Sequence, residues 1–233
     1  MAKALSSWDL VERVAEHCRT LLLYGPPGTG KTFAAHSNLG DRTLYTVTLT
    51  PDSPAAELRG HYVPQGNQFI WQDGPAIKAW RLGGRLVLNE IDLAGGDALS
   101  FLLNALDSSE TACLTLPTGE MVRPHPRFQC VATMNGNPSE DLPAALRDRL
   151  SVCVKITDAH PEGLASLPQD LQPAAKGTVL AKDPERRVTL RSWLAFASLR
   201  EQVGPAAAAA AVFQARGKDI IDSLKIAGTG SST

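Results

Sequence analysis

Gly25, Pro26, Pro27, Gly28, Thr29, Gly30, Lys31 and Thr32 follow the apolar run Leu21-Leu22-Leu23-Tyr24 and precede a helix-compatible segment, Phe33 to Leu39. Gly25 and Gly30 with four residues between them, then Lys31 and Thr32, fit the pattern of a phosphate-binding loop. Glycines let successive backbone N–H groups turn inward around an anion, and the helix that starts there adds the positive end of its dipole. In such a loop Lys31 reaches the outer phosphates and the Thr32 hydroxyl holds Mg²⁺. Phe33 opens the helix and belongs to the same cradle.

The elements that must position this loop follow from the rest of the chain. Arg19 to Tyr24, residues 43 to 49, Arg85 to Asn89, Phe128 to Met134 and Val152 to Ile156 are short and apolar or β-branched, which predicts five strands. Helical spacing alternates with them, so the expected fold is α/β: a parallel five-stranded sheet with helices on both faces. Two of these strands end in polar residues, Asn89-Glu90 and Asn135. A buried parallel strand delivers such residues to the carboxyl edge of its sheet, where ligands sit. Residues 60 to 73 and 111 to 124 suggest hairpins turning at Gln65-Gly66-Asn67 and Thr118-Gly119. Beyond Thr157 comes a Pro/Ala-rich linker with short helical pieces. Three helices follow near 188–202, 205–216 and 218–226, and a disordered tail is expected from Gly228. The domain expectation is therefore a core over residues 1–157, and a linker with a small all-helical subdomain over 158–233.

Bulk composition narrows the function class. The chain has 233 residues, 43% hydrophobic and 20% charged, with a net charge of −1. That balance gives no electrostatic argument for a nucleic-acid or membrane partner. Cys18, Cys113, Cys130 and Cys153 are scattered, and the five histidines show no metal-ligand spacing. Neither a zinc site nor a disulfide framework is suggested. No signal peptide and no bilayer-length apolar run is read in the sequence, so the expected location is the cytoplasm.

The motifs and their order resemble an AAA+ ATPase, and within that superfamily the MoxR-type branch with its CbbQ/NorQ-like and dynein-related members. Gly25 to Thr32 matches the Walker A loop, Leu86 to Glu90 sits where Walker B belongs, and Asn135 matches sensor 1. Leu146-Arg147-Asp148-Arg149-Leu150 resembles the arginine-finger segment, and Thr189-Leu190-Arg191 the sensor 2 position that opens a lid helix. Residues 50 to 75 and 111 to 126 are similar to insertions of this clade. His61, Tyr62, Trp71, Met121, Arg123 and His125 lie in or near them. Each faces a pore or partner, or simply packs its own hairpin.

The resemblance implies roles. Hydrolysis of a γ-phosphate needs phosphate positioning, Mg²⁺, an oriented water and charge neutralisation. Glu90 would orient and polarise the water, and Asn135 would share it. Arg149, and less directly Arg147, would reach the nucleotide of a neighbouring subunit. Arg191 would close on the γ-phosphate in cis. Asn89 departs from the family, which has Asp there; an amide carries no charge for the Mg²⁺ shell, and Asp92 beyond the strand end is the nearest substitute. The implied function is an ATP- and Mg²⁺-dependent remodelling ATPase, chaperone-like, acting as a hexameric ring on a protein client, with a von Willebrand factor A-type partner. The alternatives are a nucleic-acid-associated motor subunit of McrB or phage type and, because of Asn89, a slow nucleotide-gated switch.

Overall fold

The structure, a computed structural model, describes residues 5–38, 40–109, 111–181 and 183–229. The strands are β1 (Thr20–Tyr24), β2 (Leu44–Thr48), β3 (Gly60–Gln65), β4 (Gln68–Asp73), β5 (Arg85–Asn89), β6 (Leu114–Thr115), β7 (Met121–Val122), β8 (Gln129–Met134) and β9 (Val152–Lys155). The helices are α1 (Ser7–Ala15), α2 (Lys31–His36), α3 (Ala55–Arg59), α4 (Pro75–Leu82), α5 (Gly96–Ala105), α6 (Pro138–Asp141) and α7 (Ala144–Arg149). They continue with α8 (Pro161–Ala165), α9 (Gln172–Val179), α10 (Leu190–Val203), α11 (Pro205–Phe213) and α12 (Gly217–Thr229). Residues 230–233, the end of the expected disordered tail, lie outside the described residues, as does Leu39 at the end of the expected helix.

Five strands pair in parallel in the order β2-β5-β8-β1-β9, the expected α/β sheet flanked by helices. Every residue of β5 and β8 is buried, and so is β1 up to Leu23. Continuous apolar sequence is what a strand covered on both faces requires. The edge strands β2 and β9 are partly exposed and mix polar with apolar residues. The chain leaves β1 for the far edge, returns through β5 and β8, and crosses β1 to reach β9. The carboxyl ends of the three inner strands therefore open side by side, where such sheets bind ligands.

Contacts divide the chain into two compact units: a sheet unit of residues 9–25 and 31–155, and a helical unit of the described residues up to Trp8, Pro26–Gly30 and residues from Ile156 onward. The core of the sheet unit contains Leu22, Leu49, Leu58, Ile77, Trp80, Leu86, Leu88 and Leu102. Each such side chain contributes roughly 1.5–3 kcal/mol by leaving water. Trp80 satisfies its indole through the Ala105 carbonyl at 3.1 Å. Pro75 starts α4, and Gly83, at φ 67°, ends it in the left-handed conformation that commonly closes helices. The hairpin β3–β4 turns at Gly66-Asn67 with Gly66 at φ 60°. The second hairpin, β6–β7, is short.

One buried polar network braces the amino-terminal edge of the sheet. Arg85 is 2% exposed and donates from Nε to Gln129 Oε1 at 2.7 Å, from Nη1 to the Ala35 and Ser37 carbonyls, and from Nη2 to the Asn38 carbonyl. A guanidinium thus fills the orphan carbonyls at the C-terminus of α2, where cations are favoured. Gln129 turns its amide to the Ala15 and Cys18 carbonyls. The helix after the loop is tied at its rear to two inner strands.

The helical unit has its own core, in which Trp193, Phe196 and Phe213 form a cluster of tilted and edge-on rings 5.0–6.1 Å apart. The alanine run lies in α11, with Ala208 and Ala209 buried. Small side chains there allow close approach: a Cβ on Gly217 would come 2.6 Å from the Ala209 carbonyl oxygen.

Candidate functional site

At the carboxyl edge of the sheet, Lys31 and Thr32 open α2 directly opposite the ends of β5 and β8. Lys31 is 6% exposed, and its Nζ donates to the Gly25 carbonyl at 2.9 Å and to Asn135 Oδ1 at 3.0 Å. Asn135 Nδ2 in turn donates to both carboxylate oxygens of Glu90, at 2.9 and 3.2 Å. Thr32 Oγ1 donates to Asn89 Oδ1 at 3.2 Å, and Thr133 Oγ1 to the same oxygen at 3.1 Å. Five predicted site residues thus fall in two hydrogen-bonded sets that meet at the neighbours Lys31 and Thr32: Lys31–Asn135–Glu90 and Thr32–Asn89.

The electrostatics suit an anion. Burial lowers the Lys31 ammonium from 10.5 to about 8, against the opposing pull of Glu90 and Asp92. A buried cation gains when a negative group arrives beside it. Glu90 adopts φ 55°, ψ 49°, a left-handed conformation rare outside glycine. That turn leads into the 3₁₀ turn Ile91–Leu93, closed by Leu93 N–H to the Glu90 carbonyl at 2.9 Å. Strain of this kind concentrates at functional sites.

Pro26 to Gly30 are described within the helical unit. Gly28 has φ 72° and Gly30 φ 104°, and a Cβ at either would come 2.3 Å from Thr189 Cβ or 2.6 Å from His160 Cβ. Glycine is required at both positions by conformation and by space. The Gly28 carbonyl accepts from Leu190 N–H at 3.0 Å, the Thr29 carbonyl from His160 N–H at 2.8 Å, and Thr29 Oγ1 donates to the Pro26 carbonyl at 3.1 Å. Arg191 follows Leu190 in the first turn of α10 and is exposed. In the same unit Asp158 accepts from Ser7 Oγ and N–H and, through its carbonyl, from Trp8 Nε1 at 2.9 Å. Trp8 meets the His160 ring edge-on at 4.6 Å.

The two predicted finger arginines are not drawn into the Lys31–Asn135–Glu90 group. Arg149 donates to the Leu103 carbonyl and, at 2.8 Å, to the Ala145 carbonyl. Arg147 donates to the Ser139 carbonyl at 3.2 Å and to that of Pro138 at 3.4 Å. In the first insertion, Tyr62 and Trp71 pack edge-on at 5.3 Å, and Trp71 Nε1 donates to Asp73 at 2.6 Å. Tyr62, Phe69 and Ile70 are exposed, as is Met121 in the second insertion.

Phe33 belongs to the opening turn of α2 and is half exposed. Thr133, which holds Asn89 from the neighbouring strand, was not singled out in the sequence; its signal is a hydroxyl inside the otherwise apolar end of β8.

These residues fit a phosphate group with a divalent cation. Gly25, at φ 134°, turns the chain out of β1, the buried ammonium supplies charge, and Thr32 offers a hydroxyl. Asp92 keeps a buried Oδ1 with no hydrogen-bond partner among the described residues. No group of three or more His, Cys, Asp or Glu is placed to hold a metal among the described residues. A nucleotide-bound Mg²⁺ does not need one, since phosphates and waters fill most of its sphere.

Comparison with known proteins agrees with this geometry. Residues 20–150 match the family described as the AAA domain, dynein-related subfamily. Protein NorQ of Paracoccus denitrificans is 38% identical over 127 residues, 53% of this chain and 46% of NorQ. The denitrification regulatory protein NirQ of Stutzerimonas stutzeri is 33% identical over 129 residues, 54% of this chain and 46% of NirQ. The chain thus spans about half the length of the curated relatives it matches. Among solved structures, NtrX from Brucella abortus aligns over 98% of this chain and 69% of its own with a TM-score of 0.55 and 17% identity. Its ADP complex aligns over 86% and 48% with a TM-score of 0.54 and 20% identity; at such identity the likeness shows the fold. No helix among the described residues is long and apolar enough to cross a membrane. With the family match covering β1 through α7, the chain belongs to the dynein-related AAA domains, in the MoxR-like branch of AAA+ ATPases with NorQ and NirQ.

Proposed function

We propose that the chain binds and hydrolyses ATP with Mg²⁺, as the motor of a ring-shaped, chaperone-like remodelling assembly that acts on a protein client in the cytoplasm. The observation that carries this reading is the Asn135 amide joined at one end to Lys31 and at the other to Glu90. It links the cation that would hold the γ-phosphate to the carboxylate that would polarise a water. In this reading residues 1–157 form the nucleotide-binding core and 158–233 the linker and helical lid. The loop from Gly25 to Phe33 cradles the phosphates, and Thr32 and Asn89 face the cation. Glu90 takes the proton of the attacking water while Asn135 fixes its position. Arg149, with Arg147 beside it, stabilises charge across a subunit boundary, and Arg191 closes on the γ-phosphate.

ADP in the NtrX complex supports an adenine nucleotide. The protein client and a von Willebrand factor A-type adaptor are part of this proposal. The test is phosphate release by the purified protein, with particle size followed by light scattering. Lys31→Ala should lose ATP binding, and Glu90→Gln should keep ATP bound without turnover. Turnover unaffected by Glu90→Gln would sink the catalytic assignment. A second reading, a nucleotide-gated switch, is favoured by one observation: Asn89 puts a neutral amide where the cation would be served by a carboxylate. It predicts binding and ring assembly with no Glu90-dependent phosphate release.

A further inference from the structure

Asn89 is a poor acceptor for anything further. Its Oδ1 already takes hydrogen bonds from Thr32 and Thr133, which uses both lone pairs of a carbonyl oxygen, and its Nδ2 can only donate. Neither end of the amide offers an electron pair to a cation or to the waters around it. Glu90 accepts from Asn135 at both oxygens and is assigned to the attacking water rather than to the cation. A divalent cation at Thr32 would therefore lack a carboxylate in its surroundings unless another element supplies one.

Asp92 is that element. It lies in the 3₁₀ turn Ile91–Leu93 that follows the left-handed Glu90, three residues beyond Asn89 in sequence. One carboxylate oxygen, Oδ1, is shut away from water without a hydrogen-bond partner among the described residues. Desolvating an ionised carboxylate oxygen without a donor is costly, and a native structure rarely leaves one so without a reason. We propose that Asp92 supplies the negative charge of the divalent-cation site that Asn89 has lost, acting on the cation's hydration shell from the turn after the strand. This deepens the reading of a Mg²⁺-nucleotide site and rests on it.

The test compares ADP affinity in EDTA with that in Mg²⁺, using a fluorescent ADP analogue, and follows bound Mn²⁺ by electron paramagnetic resonance. Asp92→Asn should weaken Mn²⁺ in the ADP complex, and shrink the gain in ADP affinity from Mg²⁺, by about tenfold or more. ADP binding in EDTA should stay within about twofold, because no phosphate contact is removed. Adding Asn89→Asp to Asp92→Asn should restore the lost cation affinity, an outcome that a merely structural role for Asp92 does not give. Asp92→Ser provides the same comparison if Asp92→Asn does not fold. Unchanged cation affinity in Asp92→Asn, or a loss that Asn89→Asp leaves in place, overturns the assignment. A wild-type protein that binds ADP in neither buffer fails earlier, at the nucleotide reading itself, and is thereby told apart.

Discussion

The Asn135 side chain bridges Lys31 and Glu90, accepting from the ammonium at 3.0 Å and donating to the carboxylate at 2.9 Å. One amide sets the distance between a cation and a carboxylate of opposite roles. A γ-phosphate arriving at Lys31 competes with Asn135 Oδ1 for the same protons, and whatever displaces the amide alters its hold on Glu90. Asn135→Ala frees both partners at once. ATP affinity should change by less than about fivefold, while phosphate release falls about 10- to 100-fold, the usual scale for a misplaced base. Equilibrium binding beside single-turnover phosphate release checks this. Equal losses in both would show that Asn135 serves binding alone.

Glu90 carries backbone strain that its own side chain does not need. A non-glycine residue at φ 55° costs about 1–2 kcal/mol relative to the right-handed region. Replacing it by glycine relieves that cost and by alanine does not. Glu90→Gly should therefore be more stable than Glu90→Ala by about 1 kcal/mol, after allowance for glycine's larger unfolded-state entropy. Both should be silent in phosphate release. Urea melts measure the difference, and equal midpoints would mean that the turn relaxes once the carboxylate is gone.

Much of this was legible in the residues. Walker-type strands announce themselves because burial on both faces favours an apolar run, so Asn89-Glu90 and Asn135 stand out against Leu86-Val87-Leu88 and Val131-Ala132. The phosphate loop is local in sequence and needs no tertiary information. Arg85 was illegible as a brace: its guanidinium is satisfied by carbonyls of residues 35, 37 and 38 and by Gln129, partners that only folding brings together. The left-handed Glu90 was equally hidden, since nothing in the side chain predicts positive φ. Thr133 looked like an ordinary β-branched strand residue until β5 and β8 placed its hydroxyl on Asn89.

Lys31 should leave a pH signature. Its folded value of about 8 lies below the 10.5 of a solvated amine, so the unfolded chain holds more protons between these values. Stability contributed at this position therefore rises as pH passes from about 8 toward 10.5, and the full cost of the buried charge is present below about 8. Lys31→Met removes that cost at neutral pH. The melting temperature of the wild type should lie below that of Lys31→Met near pH 7, with the gap closing toward pH 10. A gap independent of pH would show that the Lys31 ammonium is as well solvated as in the unfolded chain.

Arg149 offers the sharpest test of assembly. Within one chain its guanidinium is held by the carbonyls of Leu103 and Ala145, and the Asp107 carboxylate is near enough to feel its charge. Its own carbonyl accepts from Thr20 Oγ1 at 2.9 Å, which anchors the end of α7 on β1. A finger acting in trans needs an anchored cation. Arg149→Ala should keep ATP binding and lose phosphate release at least about tenfold, as trans-acting arginines do. Lys31→Ala is silent for the complementary reason. Random co-assembly of the two in equal amounts leaves about one boundary in four with both groups intact, so the mixture should recover about a quarter of wild-type turnover if the finger acts across subunits. Arg147→Ala separates the neighbours, since that side chain holds the Pro138 and Ser139 carbonyls and should lower the melting temperature first. A mixture that co-assembles by fluorescence transfer yet stays silent would place Arg149 outside the trans site, and leave charge neutralisation to the chain's own residues.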